Sequence, residues 1–223
     1  MTTIQFTDWG LTEYNDAWQR QEELFNETIA RKAAGLPTTN SLIFCEHPHV
    51  YTLGKSGDEH NLLIDYIQLQ AKDARFVKTN RGGDITYHGP GQVVGYPIFD
   101  LANFNIGLRQ YIYNIEEAII RTLATYNIIS ERLDGATGVW LDTGKPGCRK
   151  ISAIGVRSSR YVTMHGFALN VNTDLSYFNH INPCGFVDKG VTSMQKELGA
   201  EVNFEELKHK LHQSIEKVFG EPK

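Results

Sequence analysis

Three groups in this 223-residue chain have the types and surroundings that carry chemistry. The first is a thiol, Cys184, set in Ile181-Asn182-Pro183-Cys184-Gly185-Phe186. A cysteine between proline and glycine belongs to a turn. Cysteines that only fill space sit inside regular elements, as Cys45 is expected to. A thiol becomes a nucleophile when a cation, a histidine or a helix N-terminus lowers its pKa, and without such a partner Cys184 is an inert turn residue. The second group is the ammonium of Lys150, which opens the strand-like run Lys150-Ile151-Ser152-Ala153-Ile154-Gly155-Val156. At a solvated strand end it has no task. Covered by a neighbouring loop, it lowers a thiol pKa or, once desolvated, serves as a base. The third is Arg81-Gly82-Gly83-Asp84-Ile85-Thr86-Tyr87-His88-Gly89-Pro90-Gly91-Gln92. Paired glycines let backbone N–H groups approach a ligand, the arginine can fix an anion or a carbonyl, and His88 can orient a substrate or move a proton. The plain alternative is a glycine-rich hairpin with a surface arginine. The segment is neither a P-loop nor a dinucleotide fingerprint, because the required spacings are missing. A fourth stretch, Met164-His165-Gly166-Phe167-Ala168-Leu169-Asn170, reads either as the wall of a narrow acyl slot or as an ordinary core strand.

Helices and strands must hold these groups. Leu11, Tyr14, Trp18, Phe25 and Ile29 recur at helical spacing and predict an amphipathic helix that Gly35 and Pro37 end. Residues 42–45 and 50–53 predict short strands around the turn Glu46-His47-Pro48-His49, and residues 75–79 another. Residues 81–91 predict a polar loop, followed by a buried strand over 92–99. Leu108, Tyr111, Ile112, Ile115, Ile119 and Leu123 mark a second amphipathic helix. Residues 138–141, 150–157 and 161–170 predict successive strands, with turns over 142–149 and 158–160. Asn203 and Glu206 have capping-box spacing before a last helix marked by Phe204, Leu207, Leu211, Ile215 and Val218. Helices and strands mix without strict alternation, which predicts an α+β fold around a mixed β-sheet flanked by helices. Neither a repeat nor a linker-like stretch divides the chain, so residues 1–223 are expected to form a single catalytic domain.

Composition narrows the class of function. Lys and Arg number 22 against 26 Asp and Glu, a net charge of −4, which argues against a whole-surface nucleic-acid binder. The uncharged stretch 85–99 is interrupted by Pro90 and glycines and falls short of the ~20 apolar residues of a membrane span. Three cysteines, with no secretory pattern at residues 1–7, fit reduced thiols in a cytoplasmic protein. They do not supply a zinc ligand set. Neither nucleic acid nor membrane is expected as a partner, and no metal or cofactor is expected.

Five blocks in this order resemble the lipoyl(octanoyl) transferase family of lipoate biosynthesis. They are Glu46-His47-Pro48-His49-Val50-Tyr51-Thr52-Leu53-Gly54, the Arg81-to-Gln92 segment, the run from Lys150 to Gly155, the run from His165 to Asn170, and Asn182-Pro183-Cys184-Gly185. The resemblance spans about two-thirds of the chain. It implies a cysteine acyl-thioester on Cys184, formed with an octanoyl group from acyl carrier protein, and a Lys150 that activates the thiol. It implies substrate binding by Arg81, Gly82, Gly83, Asp84, Ile85, Thr86, Tyr87 and His88. Ser152, Ala153, Ile154, His165, Gly166 and Phe167 would line the acyl site. The acceptor would be a lysine of a lipoyl domain, as in 2-oxoacid dehydrogenases or the glycine cleavage H protein. The implied fold is the one shared with lipoate ligase and biotin protein ligase catalytic domains, with a small second sheet beside the mixed one. The turn over 142–149 is longer than many members carry.

The reaction fits the residues. Thioester exchange is nearly isoenergetic and aminolysis to an amide runs downhill, so neither step requires ATP. Burying the six methylenes of an octanoyl tail is worth about 5 kcal/mol. Arg149, Lys150, Arg157 and Arg160 form the basic cluster nearest the candidate site in sequence and are expected to dock an acidic carrier. Three rivals stand beside this reading. One is an ATP-dependent lipoate/biotin-type protein ligase on the same fold, which would not need Cys184. Another is a cysteine hydrolase pairing Cys184 with His88 or His165. The third is an inactive module that only grips a lipoyl domain.

Overall fold

The structure, a computed structural model, describes residues 2–182 and 189–220. Strands and helices are numbered in chain order. The larger sheet runs β1 (Ile4–Leu11), β2 (Asn40–Glu46), β6 (Gln92–Ile98), β10 (Val162–Asn170), β9 (Arg149–Ser159), β8 (Ala136–Leu141) and β7 (Glu131–Leu133), with β11 (Gly190–Val191) also paired to β9. The β1–β2 and β9–β11 pairs are parallel and the others antiparallel, so the sheet is mixed, as predicted. A smaller sheet runs β4 (Arg75–Lys78), β3 (Val50–Leu53), β5 (Ile85–His88). The helices are α1 (Tyr14–Ala33), α2 (Tyr66–Ala71), α3 (Leu108–Ala124), α4 (Met194–Leu198) and α5 (Phe204–Gly220). Among the described residues no helix is long and apolar enough to cross a membrane.

Period-2 alternation divides the large sheet between two cores. On β2, Leu42 and Phe44 face α3 and α5, while Ile43 and Cys45 face α1. Tyr111, Ile115, Ala118, Ile119 and Leu123 of α3 meet Leu207, Leu211, Ile215 and Val218 of α5 over the first face. The Asn203 carboxamide accepts the Glu206 N–H at 3.1 Å, capping α5 as its spacing predicts. A third cluster, around Tyr51, Leu53, Ile85 and Tyr87, lies under the small sheet.

Four expectations change. The first helix begins at Tyr14, because Leu11 ends β1 and pairs with Glu46. Its buried stripe is Tyr14, Ala17, Gln21, Phe25 and Thr28, rotated from the apolar spacing so that Ala17 and Gln21 meet the sheet. Gln21 takes this place because its Oε1 accepts the N–H of His165, which sits at φ +58° inside β10, opposite Val156 of β9 but outside the β6 ladder that begins at Phe167. The glycine-rich stretch holds β5, four residues paired antiparallel to β3. The β9–β10 hairpin turns at Arg160 and Tyr161, both at positive φ, so the turn lies one step beyond its expected place.

Candidate active site

A cleft of about 1000 Å³ is lined by residues of both sheets. The segment after β4 reaches it by docking on β9. The Gly82 N–H donates to the Val156 carbonyl at 2.9 Å. A Cβ at Gly155 would stand 2.8 Å from the Gly82 carbonyl oxygen, so only glycine lets these two backbones meet. Arg81 is thereby carried inward and is 7% exposed. Its guanidinium donates to Thr52 Oγ1 from Nε (3.2 Å) and Nη2 (2.9 Å), to the Thr52 carbonyl (2.5 Å) and to the Gly82 carbonyl (3.0 Å). Burial lowers its pKa.

Lys150 reaches the cleft from near the start of the same strand, β9. The β8–β9 register shifts after Lys150, leaving Ile151 as an extra residue on β9, and this bulge breaks the strand's alternation. The lysine stem lies over Gly138, and Nζ stands 4.5 Å from the centre of the Trp140 ring. Burial brings its pKa down from 10.5 to about 8, so the ammonium exchanges its proton near neutral pH.

Three histidines stand in or beside the cleft and are neutral at pH 7. Burial lowers His47 to about 4, and His88 and His165 to about 3; the positive Arg81 adds to the shift of His88 and His165. Each is held by fixed partners. His47 Nδ1–H donates to the Thr12 carbonyl (2.6 Å) and its Nε2 accepts from the Tyr96 hydroxyl (2.7 Å). His165 Nε2–H donates to Asn80 Oδ1 (2.6 Å), whose amide donates to Glu22 (3.2 Å). His88 is bracketed by Thr52 Oγ1 (3.3 Å) and Gln92 Oε1 (2.9 Å).

Of the residues singled out by sequence, Arg81, Gly82, Gly83, Asp84, Ile85, Thr86 and His88 line the cleft. From β9 and β10 so do Lys150, Ala153, Ile154, His165, Gly166 and Phe167. Tyr87 turns into the small-sheet core, where it stacks on Tyr177 at 4.9 Å and its hydroxyl meets His49 Nδ1 at 2.7 Å. Ser152 is fully buried and donates to the Ala168 carbonyl at 3.0 Å. Cys184 lies outside the described residues; Ile181 and Asn182 before it and Lys189 after it line the cleft.

The basic run along β9 is not one patch. Arg149 is clamped by Asp142 (2.5 Å) and Glu197 (2.6 Å), and Lys150 faces the cleft. Arg157, seven residues along, lies near Glu22 (3.7 Å) and over Phe25 (5.1 Å). Strand geometry sends these cations to opposite ends of an 11-residue element. The described cations that border the cleft are Arg81, Lys150, Lys189 and Lys196, against the carboxylate of Asp84. Spacing alone did not single out Tyr14, Tyr96 and Trp140 as cleft residues, whereas Asn170 closes the stretch read as a possible acyl-slot wall. Gln92 and Asn170 carried a readable signal: one amide opens an apolar strand pattern and the other closes one.

The catalytic-domain model of lipoyl protein ligases A and B matches residues 13–216. An octanoyltransferase of Bacteroides thetaiotaomicron is 55% identical over 223 residues, covering 100% of this chain and 98% of that protein. An octanoyltransferase of Christiangramia forsetii is 54% identical, with 97% and 95% covered. Among solved structures, a bipartite lipoate protein ligase from Thermoplasma acidophilum superposes with a TM-score of 0.73 at 14% identity, covering 99% of this chain and 85% of that one. The biotin protein ligase of Aquifex aeolicus in complex with biotin and ATP gives 0.53 at 12% identity, covering 99% and 71%. At those identities the likeness is one of fold.

Proposed function

The chain belongs to the lipoyl protein ligase A/B catalytic-domain family, and from that premise we propose that it is an octanoyltransferase of lipoate biosynthesis. The octanoyl group comes from acyl carrier protein, rests on Cys184 as a thioester, and passes to a lysine of a lipoyl domain in a 2-oxoacid dehydrogenase or the glycine cleavage H protein. The reaction takes place in the cytoplasm.

Lys150 carries this reading: an amine of pKa about 8, set against Trp140 in a cleft bordered by the residues that flank the cysteine segment. In the first half-reaction the Cys184 thiolate attacks the donor's thioester carbonyl, and the tetrahedral adduct expels the carrier thiolate, which takes a proton. In the second, the acceptor lysine attacks the acyl-cysteine, loses a proton and leaves as an amide, returning Cys184 as thiolate. A group poised near neutral pH supplies the first proton and accepts the second, and Lys150 is that group. Ile154, Phe167 and Ala168 offer apolar wall to the tail. His88 and His165 hold neutral rings in fixed bonds, which does not suit the proton cycling a cysteine hydrolase needs.

The test is transfer from octanoyl-acyl carrier protein to an apo lipoyl domain with ATP omitted. The expected product is an acceptor heavier by one octanoyl group on its lysine. A reaction that proceeds only with ATP and free octanoate would replace this reading with the ligase.

A further inference from the structure

We propose that Gln92 and Asn170 are positioning residues: through them a one-directional chain of hydrogen bonds from Arg81 to Thr192 holds β11 beside Lys150 and fixes that amine in the cleft. The inference rests on the reading of Lys150 as a group of the reaction.

Chemistry fixes both ends of the chain. The Thr192 carbonyl can only accept, so Asn170 presents Nδ2 to it, at 3.0 Å. Asn170 Oδ1 then faces Gln92, which must answer with Nε2, at 2.8 Å. That leaves Gln92 Oε1 toward His88 Nδ1, at 2.9 Å, so this nitrogen carries the proton of the neutral ring. His88 Nε2 is therefore bare and accepts from the Thr52 hydroxyl at 3.3 Å. Thr52 Oγ1 in turn accepts from Arg81, whose guanidinium has donors alone. No amide or ring in this chain can turn over without leaving buried groups unsatisfied on both sides. Thr52, His88, Gln92, Asn170 and Thr192 are all buried, which makes each break costly.

The chain starts on β3 and β5 of the small sheet, crosses β6 and β10, and ends next to Lys150. Gln92 and Asn170 are opposite each other in the β6–β10 ladder. Thr192 donates its own N–H to the Lys150 carbonyl at 2.9 Å. The strand this anchors needs the help, because β11 has two ladder pairs, Gly190 with Arg149 and Val191 with Lys150. A second tether, the Thr192 hydroxyl on Glu197 Oε1 at 2.5 Å, holds the same residue from the Arg149 side. Loss of the Asn170 link therefore loosens β11 locally and leaves the fold in place. The chain also makes His88 a fixed connector.

Asn170→Asp tests this. Its Oδ1 still accepts from Gln92, but an ionised carboxylate opposes the Thr192 carbonyl, whereas a protonated one donates to it and restores the chain. At pH 8 the variant should transfer octanoyl at least tenfold more slowly than wild type. The variant-to-wild-type ratio should climb at least tenfold by pH 5.5, while Asn170→Ala stays low throughout. Compared with wild type at the same pH, hydrogen exchange at the Thr192 amide should be at least tenfold faster in Asn170→Asp at pH 8 and no faster at pH 5.5. Gln92→Glu, which cannot donate to Asn170 when ionised, should follow the same pattern and covers the case in which one Asn170 variant fails to fold. A ratio independent of pH, or unchanged Thr192 exchange, would overturn the proposal. Lys150→Met run alongside separates the underlying reading: full transfer by that variant would discard the role of Lys150 whatever the exchange shows.

Discussion

Replacing Lys150 by methionine should abolish octanoyl transfer and make the protein more stable. Holding an amine whose pKa falls from 10.5 to about 8 costs the fold about 3 kcal/mol at neutral pH, at about 1.4 kcal/mol per tenfold change in protonation. The sign follows from proton counting. Below pH 8 both folded and unfolded chains carry the proton, and the folded chain bears the full burial penalty. Between pH 8 and 10.5 the unfolded chain still holds a proton that the folded chain has released, so wild-type stability rises with pH through this window. Above it the penalty is gone. Methionine carries no charge at any pH, and its thioether can rest on the Trp140 ring that the ammonium now faces at 4.5 Å. The lost cation–π contact, worth about 0.5–2 kcal/mol, reduces the gain, so the variant should be more stable by about 1–3 kcal/mol at pH 7 and by about that much less at pH 10.5. Urea unfolding at both pH values measures this. A variant no more stable than wild type at pH 7, or a difference that does not shrink as pH rises, would refute the burial of this amine as the source of its lowered pKa.

Gly155→Ala should stop transfer and destabilise the protein by about 1–3 kcal/mol, because its Cβ would press on the Gly82 carbonyl at 2.8 Å and drive the Arg81 segment off β9; wild-type-like melting with full activity would show that the docking is dispensable. Thr52→Val keeps the shape and removes the hydroxyl that accepts from Arg81 and donates to His88, at a cost of about 1–3 kcal/mol in thermal or chemical unfolding. Since His88 Nε2 then loses its donor, the His88 pKa, read by NMR, should rise from about 3; an unchanged value would leave the shift to burial and the neighbouring charged groups and give the Thr52 hydroxyl no part in it.

Much of this was legible in the chain. The stripes of α3 and α5 bury most of the residues their spacing predicts, because both helices pack on one broad apolar face; Leu108 at the start of α3 is exposed, and Ile112 and Phe204 are only partly buried. Lys150 announced itself as a cation opening a strand, and the Arg81 segment as a glycine-rich approach. Other parts left no periodic trace. β1 is a largely exposed edge strand whose pairing comes from β2, so its residues show no buried alternation. β5 is four residues inside a glycine-rich stretch, where turn chemistry outweighs strand propensity. Gln21 sits on the buried face of α1 because a strand residue in left-handed geometry needs an acceptor, a demand set far away in sequence. The Arg81-to-Thr192 chain is likewise invisible one residue at a time: its six members sit on six different strands and connections and gain meaning only by adjacency. The basic run of β9 misled in the opposite direction, since neighbours in sequence along a strand diverge in space.

The central claim is a covalent octanoyl-enzyme on Cys184 formed without ATP. Intact mass after mixing the protein with octanoyl-acyl carrier protein tests it most directly, beside Cys184→Ala and Lys150→Ala. The prediction is one octanoyl increment on the wild type, absent from Cys184→Ala and slowed in Lys150→Ala. An increment that persists in Cys184→Ala, or one that appears only with ATP and free acid, would contradict it.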